Sequence, residues 1–138
     1  YGSAHWPKMA TVFSALRLLG ADVPLAYAGQ GISALLAAIA VMFIWRRQRA
    51  LAWRAPALII ATFLATPYAF FYDLVVLIFA ILWLQRPDLP QGGRIVLALL
   101  WLAPVALWLL ARYSQISLWP PLLAGCLIWI YAQARRPA

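Results

Sequence analysis

Long apolar runs separated by short basic stretches organise this chain. The first, 25–45, is long enough to cross a bilayer at ~1.5 Å per helical residue against a ~30 Å hydrocarbon core, and it stops at Arg46, Arg47, Arg49 and Arg54. The next, 55–66, covers only ~18 Å as a helix before Thr66-Pro67-Tyr68. Proline removes a backbone donor and disfavours helix in the residue before it, which predicts a break here. A second half-length run, 69–84, follows directly. Arg86, Asp88 and Arg94 then lie in a loop rich in proline and glycine (Pro87, Pro90, Gly92, Gly93). The segment 95–111 crosses with Pro104 as a mid-helix kink, 112–115 turns, and 118–132 returns, starting beside Pro120-Pro121 and ending at Arg135 and Arg136.

Residues 1–24 are the one extended stretch without this character. Pro7 suits the first turn of a helix, and Gly20 followed by Pro24 suits its end. Met9, Val12, Phe13, Leu16 and Leu19 share one helical face, with Lys8, Thr11, Ser14 and Arg17 around the other. Such a helix lies in a membrane interface or packs, solvated, on protein; the pattern fits both.

The expectation is therefore an all-α, polytopic transmembrane bundle of about five segments. One pair is broken at Thr66-Pro67, and an N-terminal amphipathic helix lies at the interface. Residues 1–24 form an extracytoplasmic helix and loop, and 25–138 the transmembrane region. Alternating sides gathers Arg46, Arg47, Arg49, Arg54, Arg86, Arg94, Arg135 and Arg136 on one side, against Lys8, Arg17 and Arg112 on the other. The positive-inside rule makes the first side, and the C-terminus, cytoplasmic. Reading 55–84 as one crossing would move Arg86 and Arg94 outside and spoil that bias. Trp45, Trp53 and Trp83 fall at inner ends and Trp108 and Trp119 at outer ends, as aromatic belts require. Trp101 fits neither belt.

Composition agrees. Apolar residues make up 67% of the chain and charged ones 10%, against roughly 45–50% and about 25% in soluble domains. The net charge of +8 argues for no nucleic-acid partner, because the basic residues sit between apolar runs and not on a hydrophilic face. The single Cys126 allows no intramolecular disulfide, and with the lone His5 it cannot make a metal site. A start at Tyr1 without a signal sequence reads as part of a longer polypeptide.

Few residues could carry chemistry. Asp22 and Asp88 read as turn or cap residues. Asp73 lies between apolar half-segments, where an ionisable group either lines a functional cavity or caps the second half-helix. Tyr68 and Tyr72, four apart, could share a face and stack on a sugar or lipid, or merely anchor the interface. Lys8 and Arg17 could meet a phosphate, or snorkel. Gln30, inside the first crossing, must find a hydrogen-bond partner, from a neighbouring helix or a substrate. His5 is a weak acid–base candidate. No phosphate loop, nucleophile elbow or carboxylate pair appears.

Two stretches carry a resemblance. Lys8 to Gly20 (KMATVFSALRLLG), with Pro24-Leu25-Ala26-Tyr27 and Gln30, and Ala61 to Tyr68 (ATFLATPY), leading into Tyr72-Asp73-Leu74, together resemble the C-terminal half of bacterial glycosyltransferase family 87 of the GT-C superfamily. The resemblance covers roughly 6–85. It implies a polyprenyl-phosphate-sugar-dependent transferase of the bacterial cytoplasmic membrane, typically moving mannose to a glycan or glycolipid hydroxyl at the extracytoplasmic face. No cofactor is firmly implied beyond that lipid-linked donor. By the resemblance Thr66, Tyr68, Tyr72 and Asp73 wall the substrate cavity, Lys8 and Arg17 supply phosphate-side charge, and the catalytic acidic residue belongs to an outer loop upstream of this chain, which alone should be inactive. The rival expectations are a transporter or lipid-handling membrane protein, since broken helices also build transporter sites, and a non-catalytic membrane subunit.

Overall fold

A computed structural model describes residues 9–48, 50–87, 89–114 and 116–135. His5, Pro7, Lys8, Arg49, Asp88, Gln115 and Arg136, each given a role above, lie outside them. The described residues are helical, with α1 Val12–Leu18, α2 Val23–Arg47, α3 Leu51–Ala65, a 3-10 segment Phe71–Val76, α4 Leu77–Leu84, α5 Gln91–Ser114 and α6 Trp119–Ala134.

Local chemistry explains the boundaries. Asp22 caps α2, its carboxylate accepting from the Leu25 N–H at 2.8 Å, with Pro24 in the first turn. At the other end Arg54 returns from α3 to donate to the Gln48 and Trp45 carbonyls, at 2.5 and 2.8 Å. Those oxygens are among the groups that a helix C-terminus leaves without intrahelical partners. Helix α1 closes on a paired-bond turn: Ala21 N–H donates to Leu16 O at 3.0 Å and Gly20 N–H to Arg17 O at 3.2 Å. Gly20 sits at φ +90°, the left-handed conformation that this motif places just past a helix.

Two helices, Val23–Arg47 and Gly92–Ser114, are long and apolar enough to cross a membrane. The apolar helices Leu51–Ala65 and Tyr72–Leu84 are shorter. Helix α3 is central, packed against α2, α4 and α6, while α5 leans on α4. Ile60 and Leu64 of α3, Leu77 and Leu84 of α4, and Leu123 and Ile130 of α6 are buried between them. The outward faces stay apolar: Ile32, Leu35 and Leu36 on α2 and Ile95, Leu102 and Val105 on α5 are exposed. Exposed apolar faces of this kind need a lipid or protein partner.

The bundle has two chemically distinct ends. At one, the C-termini of α2, α4 and α6 meet the N-termini of α3 and α5. Gln48 there donates to Ala134 O at 3.4 Å, Arg86 stacks on Trp53 at 4.4 Å, and Trp53 meets Trp129 at 5.7 Å. This arginine end holds Arg46, Arg47, Arg54, Arg86, Arg94 and Arg135. The opposite, junction end holds α1, the 66–73 break and, of the described basic residues, Arg17 and Arg112.

Three expectations need correction. The amphipathic reading of 7–20 puts Thr11 and Ser14 on a polar face, yet both are buried while Leu19 is 71% exposed. Burial is possible because the two residues satisfy each other. The Thr11 hydroxyl accepts from Ser14 N–H at 3.1 Å, and the Ser14 hydroxyl accepts from Thr11 N–H at 3.3 Å. The helix accordingly begins at Val12. Trp119 is fully buried in the core, so it is no belt anchor. The second half-segment opens with a 3-10 turn and becomes α-helical only at Leu77.

Candidate functional site

The break after α3 is where the structure gathers the residues singled out in the sequence. Pro67 ends α3 at Ala65, and the chain runs non-helical through 66–70, extended at Thr66 and Phe70 and bent at 67. That leaves backbone groups to be met by something other than the helix. The stretch before α1 meets them. Met9 and Phe70 form an antiparallel bridge, and Ala10 N–H donates to Ala69 O at 2.8 Å.

Gln30 locks α1 and α3 onto α2. Its Oε1 accepts from Phe13 N–H at 3.0 Å and its Nε2 donates to Leu64 O at 2.9 Å, the same carbonyl that Ser33 reaches at 2.9 Å. Leu64 lies in the last turn of α3, where carbonyls lack helical partners. The amide is buried and both its ends are used. Of the two partners open to it in the sequence, neighbouring helices account for it fully.

An aromatic cluster stands on this frame. Tyr27 and Tyr68 share a hydroxyl–hydroxyl hydrogen bond of 2.7 Å, and the Phe13 ring lies 4.6 Å from Tyr27 and 6.4 Å from Tyr68. Tyr68 and Tyr72 do not share a helical face, because no helix has begun at 68. Tyr72 instead stacks on Phe70, at 5.4 Å and 11°. Thr66 donates to Tyr68 O at 3.3 Å, holding the turn. Asp73 accepts from Phe70 N–H at 2.8 Å, while its own N–H donates to Phe70 O at 3.0 Å. Its carboxylate thus has the capping role, on the same residue, Phe70, that is bridged to Met9. Arg17 donates to Ala21 O at 2.6 Å, engaged with the loop after α1. Lys8, adjacent to Met9, is outside the described residues.

No family model, curated protein or solved structure matches this chain.

The chemistry available is hydrogen bonding and stacking. Two phenols, the partly exposed Asp73 carboxylate and the stacked pair of half-buried Phe70 and exposed Tyr72 line the junction. Among the described residues no group of His, Cys, Asp and Glu could hold a metal ion. From Tyr72, 73% exposed, an apolar crevice of about 470 Å³ runs between the 3-10 segment, α4 and α5, lined by Leu77, Ile81, Leu100, Trp101 and Pro104. Trp101, which fits no belt, finds its place there. Sequence reasoning missed the partnership of Tyr27 with Tyr68: the two are 41 positions apart, and no periodicity relates residues so distant.

Proposed function

We propose that this chain is the C-terminal membrane portion of a GT-C-type glycosyltransferase. It moves a hexose, mannose in the resembling family, from a polyprenyl-phosphate donor to an acceptor hydroxyl at the extracytoplasmic face. The observation that carries the reading is the meeting of its two resembling stretches. Residues 8–30 and 61–74 are distant in sequence, and their contacts at Met9–Phe70, Gln30–Leu64 and Tyr27–Tyr68 make them one unit. A motif pair that builds one surface is a better candidate site than either motif alone.

In this reading the chain lies in the bacterial cytoplasmic membrane as five segments, with α1 at the outer interface, the arginine end cytoplasmic and the junction outside. The crevice below Tyr72 takes part of the donor's isoprenoid chain, as an apolar cleft with polar groups at its mouth suits an amphipathic ligand. Lys8 and Arg17 hold phosphate charge as the lipid phosphate leaves. Asp73, Tyr68 and Thr66 wall the sugar or acceptor side, and the catalytic base comes from the part of the enzyme before this chain.

The test is transfer of labelled mannose from polyprenyl-phosphate mannose by membranes carrying the full-length enzyme. Asp73→Asn and Lys8→Ala should each lower the rate at least tenfold. Unchanged rates in both variants would remove the assignment, and a purely lipid-handling protein would show no transfer at all.

A further inference from the structure

The arginine end carries a second feature. Phe43 of α2 and Tyr131 of α6 meet there with ring centroids 4.5 Å apart. Each ring bears a guanidinium, Arg47 at 5.0 Å from Phe43 and Arg135 at 5.7 Å from Tyr131. Stacking occupies the flat face of a guanidinium and leaves its N–H edge free to hydrogen-bond. Both arginines are exposed, and among the described residues neither has a carboxylate nearby. Asp22 and Asp73, the acidic residues among those described, both sit at the junction end, on the α2 N-cap and at Phe70.

Tyr131 also closes the inner end of an apolar groove between α2 and α6. The groove is about 510 Å³, lined by Ile32, Leu36, Ala40, Leu127 and Ile128, with Ser33 and Leu64 at its far end. That volume falls within the ~300–1,000 Å³ of ordinary ligand sites. A long apolar slot ending at a pair of cations matches one molecule class in shape and charge.

We propose that the groove and the Arg47–Arg135 pair bind an anionic phospholipid, with one acyl chain along α2 and α6 and the headgroup phosphate between the two guanidiniums. Arginine suits phosphate because its planar fork can donate two parallel hydrogen bonds. Basic pockets between transmembrane helices on the cytoplasmic side are where anionic headgroups bind. Phosphatidylglycerol is the probe, set against phosphatidylcholine of the same acyl chains. The inference rests on the membrane placement and not on the transferase reading. If cell fractionation finds the protein outside the membrane fraction, both fall, whereas the outcomes below bear on the lipid site alone.

The experiment is thermal unfolding of the delipidated protein in a neutral detergent, titrated with each lipid. A ligand that binds only the folded state raises the midpoint according to its affinity. Phosphatidylglycerol should raise it at least three times further than phosphatidylcholine, and glycerol phosphate alone should not raise it. Arg47→Gln with Arg135→Gln should abolish the preference, while Arg94→Gln, at the same end, should keep it. Should the double variant fail to fold, Ile128→Trp fills the groove from its exposed side and should cut phosphatidylglycerol retained in native mass spectrometry at least fivefold. Equal shifts with both lipids would overturn the proposal. So would a shift from glycerol phosphate alone, a shift that depends on protein concentration as a second copy would make it, or a preference that survives the arginine substitutions.

Discussion

Gln30 shows what one side chain can organise at the residue scale. It bonds the Phe13 amide and the Leu64 carbonyl at once, so three helices share one buried amide. Gln30→Leu keeps the volume and removes both bonds, while Ser33 still serves Leu64. A loss of about 1–3 kcal/mol is expected, the usual cost of depriving a buried polar group of its partner, read by unfolding in detergent. Asp73 separates structure from chemistry. As a cap, Asp73→Asn keeps an acceptor oxygen and should change stability little, while Asp73→Ala should cost about 1 kcal/mol. If the proposed site is right, both lower transfer activity, so Asp73→Asn becomes the informative variant: folded and slow. The sequence shows that Gln30 needs partners and that Asp73 could cap. It does not show which partners, because Phe13 and Leu64 are brought to Gln30 by tertiary packing.

At the scale of elements, the pattern of apolar runs and prolines locates the helices well. The run 25–45 becomes Val23–Arg47, 118–132 becomes Trp119–Ala134, and Thr66-Pro67 ends α3 as proline chemistry requires. What misleads is α1. Helical periodicity distinguishes polar from apolar side chains, but Thr11 and Ser14 bond locally and so can be buried like apolar residues. The helix end at Gly20 is legible, since only a left-handed residue closes this turn. A Cβ there would meet nothing within 4 Å, so Gly20→Ala isolates the backbone term. It should destabilise by about 1–2 kcal/mol, the cost of a left-handed alanine, and the same unfolding measurement checks it. Pro104 does not interrupt α5, which runs unbroken from Gln91 to Ser114. A proline inside a helix removes one bond without forcing a stop when neighbours support both halves.

The molecule as a whole is a bundle with opposite ends. Arg47, Arg54, Arg86 and Arg135 each stack on an aromatic ring at one end, and Arg112 on Trp108 at the other. Arginine on an interfacial aromatic places a charge at the edge of an apolar layer, and the asymmetry between ends is the physical content of an orientation. Charge asymmetry and apolar length were readable from the chain. The joining of α1 to the 66–73 break was not, because it depends on a backbone bridge between Met9 and Phe70 that no local pattern encodes. The central claim is that the chain spans a bilayer with the junction outside and the arginine end inside. Labelling of single cysteines tests it most directly, in a Cys126→Ser background, with a membrane-impermeant maleimide on intact spheroplasts. Tyr113, 81% exposed near the junction end of α5, and Arg94, exposed at its other end, are the positions to substitute. Tyr113→Cys should label in intact spheroplasts and Arg94→Cys only after permeabilisation; equal labelling of both, or the reverse order, would contradict the account.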